Sequence, residues 1–139
     1  MSRTTKNTSS AVSDLGVWVR LELDEGSSDS GHIARVIVHE VDQWFKNASI
    51  SDELLTFEGR PETGSDRWDA LIEGLTARYF HVRKLEAPAW ACCTRLDEAW
   101  SPYDETITDN SWHIVNVLNT PVELLDRGIV LSRTELVLI

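Results

Sequence analysis

The stretch SDRWDALIEGLTARYFHV, residues 65 to 82, decides the fold. Trp68, Leu71, Ile72, Leu75, Tyr79 and Val82 recur at steps of three and four residues, the spacing that lines up one face of an α-helix. Ser65 is a favourable N-cap, and Asp66 and Asp69 fall in the first turn, where the positive end of the helix dipole favours carboxylates. Downstream, Pro88 closes off any continuation. The spacing therefore predicts a helix from Ser65 to about Val82 with one buried stripe.

The same period governs the neighbouring segments. In HIARVIVHEVDQWFKN, residues 32 to 47, Ile33, Val36, Ile37, Val41, Trp44 and Phe45 share a face, while Arg35, Asp42 and Lys46 lie off it and Ser30 offers an N-cap. A short helix is expected at Asp52 to Glu58, capped by Ser51 and stapled by Ile50 and Leu55, before GRPETGS breaks the chain. TPVELLDRG, residues 120 to 128, carries the clearest local signal: Thr120 as N-cap, Pro121 at the first helical position, Glu123 completing a capping box and Gly128 at the end. Thr94 to Trp100 reads as a further short helix with Thr94 and Asp97 as its capping pair. In Trp112 to Leu118 the apolar spacing favours helix and the β-branching favours strand; helix is preferred. Trp90 to Cys93 has no readable form.

One segment departs from this period. In VWVRLEL, residues 17 to 23, Val17, Val19, Leu21 and Leu23 alternate with Trp18, Arg20 and Glu22, which is a strand pattern. Its partner would be Ile129 to Leu131, Leu136 to Ile139, or the edge of another protein. Residues 1 to 16 are rich in Ser and Thr and are expected to form a flexible polar leader. The expected architecture is mainly α: a single small helical domain over residues 17 to 139 with a minor β element, one N-terminal strand paired with the C-terminal segment.

Composition narrows the function. With 139 residues, 42% of them apolar, one core is expected without help from disulfides or metals. A net charge of -10 argues against clamping a phosphate backbone, because that affinity rests on Lys and Arg. No apolar run approaches the ~20 residues of a spanning helix, and the N-terminus lacks the apolar core of a signal peptide. Cys92 and Cys93 are adjacent and unsuited to an ordinary disulfide, which points to a reducing, cytoplasmic setting.

The chain offers little chemistry. His81, Cys92, Cys93 and His113 lack the paired spacing of zinc ligands, and the two cysteines fit better as small buried hydrophobes. His32 and His39 lie seven residues apart with no third ligand nearby. There is no GxSxG elbow and no glycine-rich phosphate loop. A hydrolase built on His113 with Asp109 is the weakest of the functional classes, so no catalytic residue, metal or cofactor is expected.

What remains is contact chemistry. Trp18, Trp44, Trp68, Trp90, Trp100 and Trp112 fall roughly one per segment, as core pegs or partner anchors. From Glu40 to Glu73 nine acids face three bases, and from Asp97 to Asp109 there are five acids and no base. If these stretches share a face, they steer a basic partner toward adjoining aromatics. The expected partner-binding residues are Trp18, Arg20, Glu22, Asp97, Glu98, Trp100, Asp104 and Glu105.

The succession RWDALIEGLTARYF, APAW, LDEAW and TPVELLDRGIVLSRTEL, between roughly Ile33 and Leu136, resembles a small domain of actinobacterial proteins. That domain occurs alone or behind an XRE-type helix-turn-helix, sometimes in gene pairs that look like toxin–antitoxin modules with a nucleotidyltransferase-like toxin. About thirty residues precede the first strong helix here, too few for an XRE-type DNA reader, so the resemblance implies the interaction half of that architecture. The expectation is a non-enzymatic, antitoxin-like protein that binds a basic partner, with no direct nucleic acid and no membrane. The alternative is a homodimeric transcriptional or phage-defence regulator that senses a small ligand in a Trp-lined pocket.

Overall fold

A computed structural model describes residues 11–26, 30–47, 61–92, 94–98, 100–102 and 118–131. Among these it places four α-helices, α1 (Ala11–Asp24), α2 (Ser30–Asn47), α3 (Asp66–Val82) and α4 (Val122–Leu125), and a 3₁₀ turn, Ala89–Cys92. α3 is the axis. It packs against α2 on one side and against α4 and the 3₁₀ turn on the other, while α1 packs on α2. No described helix is long and apolar enough to cross a membrane.

The residues of α3 explain its central place. The expected stripe of Trp68, Leu71, Ile72, Leu75 and Tyr79 is buried, whereas Val82 at the end is exposed. A second face is buried as well, formed by Ala70, Glu73, Gly74, Thr76 and Phe80, so the helix is enclosed on two sides. Small residues make that possible: a Cβ at Gly74 would sit 2.6 Å from Leu124 Cδ2 and 3.4 Å from the Glu123 carbonyl oxygen. α4 rests where that Cβ would be. The helix start at Ser65 is as expected, but the serine side chain makes no capping bond. Asp69 instead turns back and accepts from the Thr63 N–H at 2.9 Å and the Thr63 hydroxyl at 2.8 Å. At the other end, the Lys84 N–H reaches the His81 carbonyl and the Leu85 N–H reaches the Phe80 carbonyl, a Schellman stop with Lys84 in the left-handed region at φ 59°.

α2 presents Ile33, Ala34, Ile37, Val38 and Val41 to the core and leaves Val36 and Trp44 half-buried on its flank. The expectation that Asp42 lies off the core face is corrected: it is fully buried, with the Tyr79 hydroxyl donating to it across a long 3.4 Å contact. Burial first, and then the adjacent Asp42 carboxylate, push the Tyr79 phenol up from its ordinary value, so it stays a neutral donor.

The N-terminal strand is also corrected. Residues 17 to 23 lie within α1, and residues 11 to 16, assigned to a leader, form its first turns. Val12, Leu15, Gly16 and Val19 are buried, an i, i+3, i+4, i+7 stripe that outweighs the local alternation. Gly16 is needed for this packing, because a Cβ there would lie 2.8 Å from the Glu62 backbone nitrogen.

In the C-terminal part, the short helix expected at Thr94 to Trp100 is absent; its described residues are non-helical and pair with the segment after α4. Leu96 N–H donates to the Arg127 carbonyl, Trp100 N–H to the Gly128 carbonyl and Val130 N–H to the Trp100 carbonyl, forming a parallel bridge between Trp100 and Ile129. The pairing expected between residues 17 to 23 and Ile129 to Leu131 does not form; Ile129 makes an isolated bridge with Trp100 instead. The helix within TPVELLDRG forms, starting from Pro121 with no side-chain cap. Thr120 Oγ1 accepts instead from the Leu131 N–H at 3.0 Å, and Gly128 ends the element at φ 89°. Arg127 is buried, donating from Nη1 to the Glu123 carbonyl at 2.6 Å and from Nη2 to the Ala91 carbonyl, which ties α4 to the 3₁₀ turn. Asp52 to Glu58, Leu136 to Ile139, residues 1–10 and all of Trp112 to Leu118 except Leu118 lie outside the described residues.

Candidate functional site

The expected contact residues do not gather on one surface. On α1, Trp18 and Glu22 are one turn apart and share a face, whereas Arg20 lies about 200° from Trp18, on the opposite side. The strand reading had put all three together. Trp18 and Glu22 are half-buried and Arg20 is exposed. Asp97 and Glu98 are exposed at a bend in the segment that runs beside Gly128. Trp100 is not a surface anchor: it is 3% exposed, edge-to-face with Trp68 at 4.9 Å and 85°, with the Arg67 guanidinium 5.6 Å above its ring. Asp104 and Glu105, like His113, Asp109 and Trp112, are outside the described residues.

A different site emerges from the helical form of α1. Ala11, Asp14, Leu15 and Trp18 recur at i, i+3, i+4 and i+7, and Val36, Glu40 and Trp44 recur at i, i+4 and i+8 on α2. These two rows line an open groove of about 420 Å³. Trp18 stands beside His32 near the start of α2, with ring centroids 6.4 Å apart. Both charged residues of the lining, Asp14 and Glu40, are acidic. Among the described residues neither carboxylate takes part in an ion pair.

The other carboxylates are used inside the fold. Glu73 is fully buried, and its two oxygens accept from the Thr94 N–H and the Thr94 hydroxyl, each at 2.8 Å. Glu123 lies 2.5 Å from His81 Nδ1 and links α4 to the end of α3. Burial raises the Glu123 carboxyl, but the His81 hydrogen bond, its own backbone N–H, and the charges of His81 and Arg78 outweigh this and hold it below its ordinary value. Among the described residues, no group of three or more His, Cys, Asp or Glu is placed to hold a metal ion.

Sequence reasoning counted Glu40 among the acids and Trp44 in the core stripe, and it missed Asp14 and the groove itself. The available signal was the i, i+3, i+4, i+7 run through Ala11, Asp14, Leu15 and Trp18, which becomes visible once the helical window opens at residue 11. No protein-family model, curated protein or solved structure matches the chain, so the site rests on its own geometry.

Proposed function

We propose that the chain is a non-enzymatic, protein-binding regulator of the antitoxin-like class, which occupies a basic partner through the α1/α2 groove. The observation that carries this reading is the groove's composition: two half-buried indoles beside two carboxylates that have no ion pair among the described residues. The part of each indole that the fold leaves open is desolvated when a partner covers it, and a tryptophan at the centre of an interface is worth about 2 kcal/mol or more. Carboxylates without an internal partner steer a basic surface toward them. Neutralising a toxin then amounts to covering its basic, phosphate-handling face. Because residues 17 to 23 are helical, docking by strand addition is replaced by docking on a helix pair.

Co-expression with the product of the adjacent gene tests this. The expected result is a stoichiometric complex that Glu40→Arg disrupts while the variant stays folded. A monodisperse chain that ignores that product counts against the reading. One observation favours the small-ligand regulator as a second reading: about 420 Å³ falls within the range of small-molecule sites, ~300–1,000 Å³. That reading predicts quenching of Trp fluorescence by a metabolite, without need of a protein.

A further inference from the structure

The contact of Trp18 with His32 at the start of α2, and of residues 11–18 with residues 36–44 along the groove, makes α1 and α2 antiparallel, so the two indoles approach the groove from opposite ends. Trp18 stands beside His32, twelve residues before Trp44, and at 1.5 Å per residue that is about 18 Å along α2. Helical side chains lean toward the N-terminus of their own helix. Trp44 therefore leans back along α2 toward Glu40, and Trp18 leans back along α1 toward Asp14. The span between the indoles is thus the rise of about twelve helical residues, with the two carboxylates between them. The groove thus reads, end to end, as apolar, acidic, apolar.

We infer that its occupant is an amphipathic helix of the partner, with apolar side chains at i and i+11 for the two indoles and a Lys or Arg at i+4 or i+7 for Asp14 and Glu40. This rests on the docking role proposed above and specifies its chemistry. Charge complementarity selects the occupant, since both charges in the lining are negative. An i, i+4, i+7, i+11 pattern keeps to one helix face, the signature of a helix laid in a groove.

The experiment titrates the full chain by calorimetry with eighteen-residue model helices: one with Leu at i and i+11 and Lys at i+4 and i+7, one with Gln for Lys, one with Ala for Leu, and one with a central Pro. The Lys helix is expected to bind at least about tenfold more tightly than each of the others. The double variant D14N/E40Q should reduce its affinity to that of the Gln helix and abolish its salt dependence. Melting temperature serves as the fold control. Equal binding of the Lys and Gln helices, or indifference to D14N/E40Q, overturns the cation; equal binding of the Pro peptide overturns the helix. If no model helix binds while the adjacent gene's product is retained by both wild type and D14N/E40Q, this inference fails and protein docking stands. If the Lys helix binds as described and that product is ignored, the groove chemistry stands and the antitoxin-like assignment falls.

Discussion

The two ends of the molecule use the same residue types to opposite ends. Around α3, Trp68 and Trp100 are buried against each other and the Glu73 carboxylate is saturated by Thr94. Between α1 and α2, Trp18 and Trp44 are only half-covered, and the Asp14 and Glu40 carboxylates have no ion pair among the described residues. Tryptophan count and acid count therefore say little about function in this chain. What separates the two regions is how far the indoles are covered and, among the described residues, whether the carboxylates have been given donors by the fold.

That contrast can be broken most directly at the indoles. Trp68→Ala should cost about 3–5 kcal/mol in urea unfolding, as a cavity left in a packed core, whereas Trp44→Ala should cost less, about 1–2 kcal/mol, since part of its surface is open to solvent. Similar losses at both sites would remove the distinction. The carboxylates give the next largest difference. Glu73→Ala strands two donors on Thr94 and should cost about 2–3 kcal/mol, while Glu40→Ala should stay within about 0.5 kcal/mol. Gly74→Ala sharpens the picture of the closed half: overpacking against Leu124 at about 1–3 kcal/mol exceeds the gain of about 1 kcal/mol in helix propensity, leaving a net loss of about 1 kcal/mol.

A smaller effect, less than about 1 kcal/mol for a pair open to solvent on one side, belongs to Glu123 and His81. The Glu123 carboxyl is held below its ordinary 4.5 in the folded state, so its contribution is fully present above that value and is lost as pH falls through the folded one. The gap in urea midpoint between wild type and Glu123→Gln should accordingly close at pH values below 4.5. Smallest of all is Lys84→Gly. Relief of the left-handed backbone, about 1–2 kcal/mol, slightly exceeds the entropy of glycine, about 0.5–1 kcal/mol, so the melting temperature should rise by the equivalent of about 0.5 kcal/mol.

How much of this was legible depended on the distance over which the deciding contact acts. α2 and α3 were readable because their apolar spacing is local, and Gly128 marked the end of α4 because only a left-handed residue fits there. α1 was misread because Val17 to Leu23 alternates within seven residues, and the Ser- and Thr-rich text before it drew the boundary too late. The helical stripe needed Val12 and Leu15 to declare itself. Thr94 was read as a cap for the residues after it, yet its donors serve Glu73, twenty-one positions earlier. The second buried face of α3 was foreshadowed by Ala70 and Gly74 one turn apart, but nothing local says that α4 would fill the space. The site was legible as a chemistry, acids beside tryptophans, and illegible as a place. Trp18 and Trp100 were both expected as partner contacts; Trp18 is half-buried, while Trp100 was sealed inside by a pairing with Ile129 that no local window contains.

The edge-to-face packing of Trp68 and Trp100 gives the molecule an internal optical reporter. Two indoles 4.9 Å apart couple their electronic transitions, so the closed half should show an exciton couplet in circular dichroism. Melting the contact between α3 and the segment around residue 100 would extinguish that couplet, whereas filling or emptying the groove would leave it in place. Binding and unfolding can thus be followed in one sample by two independent signals.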